Sequence, residues 1–130
     1  MIKISDLKVG DYVIAGFDGK SSRGEVIDIN REDGQAEVRT GEQEFWYGPE
    51  DLEPIPLDEK ELLLLGFERQ EMEDGVVKYL KGPFRVLVEN GDFSHLTAWY
   101  REDRRHWNQP LMVHELQNHY LQMTKVGLLA

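Results

Sequence analysis

The sequence predicts an α+β chain in two parts: a small all-β unit over residues 1–55, then an α-β-β-β-β-α unit over 56–130 with an antiparallel meander sheet. Three observations predict it. Residues 1–55 break into short β-rich runs separated by turn residues. Pro54 and Pro56 then bracket a stretch that cannot continue a strand and that biases its neighbours to extended backbone. Only after that bracket does helical periodicity appear.

In the first part, "DYVIAG" (11–16) follows a Gly10-Asp11 turn signal, and "GFDGKSSRG" (16–24) reads as a flexible hairpin loop. "RGEVIDIN" (23–30) alternates, with Val26 apart from Ile27 and Ile29, so one of these lies off the main inward face. "QAEVRT" (35–40) follows Asp33-Gly34, "EQEFWY" (42–47) follows Gly41, and "GPEDLEPI" reads as a 3₁₀ turn with a short closing strand. Strands this short favour a closed or nearly closed barrel, because closure removes exposed edges. With "LKVGDYV" opening and "PEDLEPI" closing, these 50-odd residues resemble the SH3-like small barrels of KOW and Tudor type.

In the second part, "LDEKELLLLGF" predicts a short helix over 59–65. Asp58 is its cap, Glu61 the capping-box partner, Leu57 and Leu62 form a staple, and Gly66 ends it. "FERQEME", "VVKYLK", "FRVLVE" and "DFSHLTAWY" read as four strands divided by Asp74-Gly75, Gly82-Pro83 and Asn90-Gly91. A terminal helix is expected at about 110–125, with Pro110 in its first turn and Asn108 as cap. On it Met112, Val113, Leu116, Tyr120 and Met123 share an arc of about 100°. Each would contribute roughly 1.5–3 kcal/mol on full burial.

That helix begins one residue short of a zinc-protease signature: the run is H-E-L-Q-N-H, not H-E-x-x-H. Ligands four apart lie about 40° round a helix and reach one ion; His114 and His119, five apart, lie about 140° round and diverge. The two imidazoles are therefore expected at the borders of the apolar stripe. His114, Gln117 and Asn118, one turn apart, form a polar cluster expected to bond to backbone and orient the helix, with a ligand pocket as the alternative.

"PIPLDEKELLLLGF" and "VHELQNHYLQMT" together resemble two signatures of a family of small uncharacterised proteins from gut bacteria and their phages. In that family they read roughly P-I-P-L-T-E-x-x-L-L-x-x-G-F and Y-V-H-x-L-Q-N-L-Y. Here Asp58 replaces the Thr, Met112 stands at the Tyr and His119 at the second Leu. The resemblance covers about 75 residues. It implies a phage or mobile-element accessory protein and carries over no catalytic residue.

The formal charge is −10, with −7 on residues 1–56 and −3 on 57–130. Such a chain repels phosphate backbones, so nucleic-acid binding is not expected, and a basic protein partner fits the charge. Cysteine is absent, which removes disulfides, thiolate metal sites and thiol nucleophiles. No apolar run approaches membrane-spanning length and the start carries no signal-peptide pattern, so a cytoplasmic location is expected. The composition is compatible with homo-oligomers.

No catalytic constellation stands out. Ser94-His95 are strand neighbours that would face opposite ways, no G-x-S-x-G elbow or phosphate loop occurs, and acid pairs such as Glu71 with Glu73 are frequent among 25 acids. The expectation is a non-catalytic binding or adaptor protein without cofactor or metal. A metal-dependent hydrolase using His114 and Glu115 is one alternative; nucleic-acid binding through the 99–107 loop is the other.

Two aromatic groups are candidate partner surfaces. In the first, Tyr12 and Phe17 join Phe45, Trp46 and Tyr47, and Trp46 faces away from Phe45 and Tyr47. It either packs against the second unit or, with Glu44, Glu50 and Asp51 nearby, forms a cage for a cationic side chain. The second is the loop from Trp99 to Trp107, with Tyr100, Arg101, Arg104 and Arg105, expected to link the last strand to the last helix. Its tryptophans could equally tuck beneath that helix.

Overall fold

The computed structural model describes residues 1–41 and 43–129. It is a mixed α+β chain of two five-stranded antiparallel sheets and two helices. The contacts divide it into a first unit, Met1–Ile55 with Val113–Asn118, and a second, Pro56–Met112 with His119–Ala130. Among the described residues no helix is long and apolar enough to cross a membrane.

The first unit contains β1 (Tyr12–Phe17), β2 (Lys20–Asn30), β3 (Gln35–Thr40), β4 (Gln43–Tyr47) and β5 (Leu52–Glu53), in the order β4-β3-β2-β1-β5. The sheet is not closed: β4 and β5 form its two edges. β5 has only two residues and pairs with β1 alone. Glu42, expected in β4, lies outside the described residues. The stretch 16–24 is not a loop. Asp18 and Gly19, both at positive φ, make a two-residue turn with Phe17 opposite Lys20, and β2 starts at Lys20. A twisted ribbon needs that hairpin geometry, and Asp-Gly supplies it.

The phase break in β2 has a structural cause. The register with β3 shifts between Val26 and Asp28, so Ile27 is an extra residue, and both Val26 and Ile29 reach the core. Just before it, β2 and β3 approach so closely that a Cβ on Gly24 would meet Arg39 O at 2.7 Å. The core here is Ile2, Ile4, Leu7, Val13, Val26, Val38, Tyr47 and Leu52 with two small alanines.

The second unit holds α1 (Glu59–Leu64), β6 (Glu68–Glu71), β7 (Val76–Lys81), β8 (Phe84–Glu89), β9 (Leu96–Tyr100) and β10 (Asp103–Trp107), in the order β10-β9-β8-β7-β6. The Asp58 carboxylate accepts from the Glu61 N–H at 2.9 Å. The helix ends with Gly66 at φ 90° and Phe67 N–H on Leu62 O at 3.1 Å, which satisfies a carbonyl the helix would otherwise leave bare. Gly82-Pro83 joins β7 to β8 as a two-residue turn. Asn90 and Gly91 both have positive φ, but the connection extends to Leu96, so 92–95 is turn rather than strand.

Two expectations fail here. The sheet has five strands, not four, because 103–107 pairs with β9. Its turn is formed by Arg101 at φ 56°, with no glycine or asparagine to announce it. The second helix, α2 (Val113–Thr124), starts three residues after Pro110. Leu111 and Met112 are extended instead: Leu57 N–H donates to Leu111 O at 3.2 Å and Pro56 bridges Met112. Val113, Leu116, Tyr120 and Met123 are buried as the stripe requires, whereas Met112 lies before the helix and is half-buried.

Candidate functional site

The polar cluster on α2 is built into the first unit. Gln117 is fully buried. Its Oε1 accepts from the Tyr12 N–H at 2.8 Å, and its Nε2 donates to Gly10 O at 2.8 Å. Asn118 Nδ2 donates to Asp6 O at 2.9 Å. These bonds hold the chain entering β1 against the helix.

His114 is buried as well, not at the border of the stripe: with Val113 and Gln117 also inward, the buried arc is wider than apolar residues alone indicate. Its Nδ1 has no hydrogen-bond partner. Burial holds its pKa below the ordinary histidine value, opposed by the charges of Glu115, Asp11 and Asp6, while Lys8 adds to the lowering. Asp11, fully buried, accepts from Lys8 N–H at 3.0 Å and from Lys8 Nζ, yet burial still raises its pKa. A lowered histidine pKa stabilises the fold fully above the unfolded value of about 6.5 and loses that contribution as the pH falls toward the folded value. Asp11, shifted upward, acts in the opposite sense at lower pH. Unfolding free energy is expected to fall between pH 7.5 and 5.5, by at most about 1.4 kcal/mol per pH unit from this one site. Urea titrations across that range check it: His114→Gln should flatten the slope, and an unchanged slope refutes the assignment.

His119 has separate partners. Arg105 Nη1 donates to its Nδ1 at 2.8 Å and to Gln122 Oε1 at 2.9 Å, so that ring nitrogen is an acceptor. Trp107 lies with its ring centroid 4.6 Å from the same imidazole. Among the described residues no group of three or more His, Asp or Glu is arranged to hold a metal ion. Ser94 and His95 sit in the β8–β9 turn, not on a strand. Ser94 donates both N–H and Oγ–H to Asp92, and His95 Nε2 lies 3.9 Å from the same carboxylate. Those bonds hold the Asp92 pKa down. The serine hydroxyl thus points at a carboxylate rather than an imidazole base.

The residues 99–107 form a hairpin, not a linking loop, and its alternation separates the candidates. Arg105 and Trp107 lie on the α2 side, bonded or packed to His119. Trp99 and Arg104, cross-strand partners, lie on the opposite face, with the guanidinium carbon 4.3 Å from the indole centroid. Trp99 Nε1–H donates to Arg101 O at 2.6 Å, and Arg101 also lies over Tyr100 at 5.1 Å. One tryptophan therefore tucks inward and the other does not.

In the first unit Trp46 is 42% exposed and its neighbour Tyr47 is buried. Sequence reasoning undervalued Phe17 and Phe45. They are 71% and 49% exposed, with rings 6.3 Å apart and stacked. Phe17 also lines a groove of about 250 Å³ with Asp18, Glu50, Asp51 and Glu53; Ile14, Lys20 and Ser21 line it too. The Met1 ammonium sits 2.7 Å from Glu53. The two-residue turn after Phe17 was the missed signal: it places that ring at a strand end, beyond the reach of the core. Compared with family models, curated proteins and solved structures, the chain matches none of them.

Proposed function

We propose that the protein is a non-catalytic binding module that recognises a basic segment of a partner protein at the Phe17 groove. The carrying observation is an exposed, stacked pair of phenylalanines beside four carboxylates, in the part of the chain with most of the negative charge. Exposed aromatics rimmed by polar groups mark interaction sites, and an aromatic face next to acids attracts a lysine or arginine side chain twice over. The strand order β4-β3-β2-β1-β5, with the 3₁₀ turn Pro49–Asp51 directly before β5, supports an SH3-like type for this unit. The two-motif resemblance supports a phage or mobile-element accessory protein and assigns it no reaction.

Fluorescence anisotropy with a labelled Arg/Lys-rich decapeptide tests the reading. Wild-type protein should bind it in preference to a neutral peptide of the same length, and more weakly as salt rises. Phe17→Ala should weaken binding by roughly twofold to fivefold, the size of an exposed cation–π contact. Paired Glu50→Gln and Asp51→Asn substitutions should weaken it further. Equal affinity for the basic and neutral peptides would sink the proposal.

A further inference from the structure

The second sheet has one buried face, with Phe84, Val86, Val88, Leu96 and Ala98, and one face that is half-buried to exposed. On that outward face alternation places Lys78, Arg85, Trp99 and Arg104, with Leu87 and Thr97 among them. Arg101 closes the hairpin beside them. Lys78, Arg85, Trp99 and Arg101, with Pro83, line a concavity of about 450 Å³. The feature that sets this patch apart is the gathering of four cations around one indole, with the acids of the same face, Glu68 and Glu89, at its borders. Among the described residues none of Lys78, Arg85, Arg101 and Arg104 has a carboxylate within ion-pair distance. Other cations of the chain do meet acids: Arg69 lies 2.6 Å from Glu59 and 2.8 Å from Glu71, Arg105 3.4 Å from Asp103, Arg39 3.5 Å from Glu44, and Lys8 pairs with Asp11. In a chain of 25 acids and 15 bases, four neighbouring cations that have no acid partner among the described residues form a local inversion of charge.

The geometry points to a second docking surface: the outward face of this sheet binds a short acidic segment of a partner protein, its carboxylates meeting Arg85, Arg101, Arg104 and Lys78 around the Trp99 ring. Charge complementarity selects the occupant. Guanidinium forks pair two-pronged with carboxylates, and Trp99, whose N–H is already used, offers apolar contact between them. A nucleic-acid strand fits less well. Binding a phosphate backbone needs a continued track of cations, and this patch is bordered by Glu89, Glu102 and Asp103 on a chain of net charge −10. The surface is opposite in charge to the Phe17 groove, so the two readings stand or fall separately.

The test is anisotropy of a labelled Glu/Asp-rich decapeptide against the full chain at low salt, beside labelled oligo(dT) and sedimentation of the protein alone. Wild-type protein should bind the acidic peptide and lose affinity as salt rises. Arg104→Ala, at an exposed position, should weaken it by roughly twofold to fivefold. Paired Arg85→Glu and Arg104→Glu should weaken it more than about tenfold, while affinity for a basic peptide is unchanged. Circular dichroism checks that variants fold; if Arg85→Glu does not, paired Lys78→Glu and Arg104→Glu decides. Three results overturn the proposal: no binding of the acidic peptide, binding of oligo(dT) alone, or self-association that the charge reversals abolish without any peptide binding.

Discussion

Phe84→Ala is expected to lower the unfolding free energy of the second unit by about 3–5 kcal/mol, the largest effect of any single truncation here. Phe84 is fully buried. It begins β8 directly after the Gly82-Pro83 turn, and its ring meets Phe67 at 6.1 Å and Tyr120 at 4.7 Å. Removing it deletes a whole aromatic side chain from between a strand, the turn that follows α1 and the second helix. Phe67 is held by its N–H bond to Leu62 O and Tyr120 by helix α2, which limits collapse into the space. Small domains have about 5–15 kcal/mol in total, so the variant should approach half-unfolding well below the wild-type midpoint. Denaturation followed by the fluorescence of Trp99 and Trp107 reads this unit. A change below about 1.5 kcal/mol would mean that Phe84 is not the centre of the core.

Gln117→Leu is expected to destabilise the first unit by about 2–5 kcal/mol, although it puts an apolar side chain in a buried place. The substitution strands the Tyr12 N–H and Gly10 C=O together, and each buried group left unpaired costs about 1–3 kcal/mol. Gln117→Glu distinguishes this from a loss of packing. A carboxylate still accepts from Tyr12 N–H but meets the Gly10 carbonyl oxygen with no proton, so that variant should regain stability as the pH falls. Urea midpoints read from Trp46 fluorescence at pH 7.5 and 5.5 check both, with wild type correcting for the opposite slope expected from His114. A leucine variant as stable as wild type would show that the two bonds are dispensable.

Local chemistry decided the elements that were readable from the chain alone. Asp58 and Glu61 began a helix because a carboxylate can reach an N–H three residues on, and Gly66 ended it because φ near 90° suits only a residue without a Cβ. Asp33-Gly34 and Gly82-Pro83 marked hairpins for the same kind of reason. The divergence of His114 and His119 followed from helical angle alone: His114 is buried, while His119 meets Arg105 and Trp107.

Tertiary structure decided what depended on partners distant in sequence. Strand β10 exists because Arg104 has Trp99 opposite it and Arg105 has α2 beneath it; its turn residue, Arg101, carries no local signal. Helix α2 starts late because Leu111 and Met112 are held extended by Leu57 and Pro56, over 50 residues earlier. The burial of Gln117 rests on backbone groups more than 100 residues away. That the first sheet stays open, with β4 and β5 at its edges, was likewise a matter of strand pairing. Charge gives the clearest case. Composition shows only a chain of −10, whereas pairing three strands gathers Lys78, Arg85 and Arg104 onto one face, because alternation sends every second residue outward and β9 aligns them, with Arg101 in the adjoining turn.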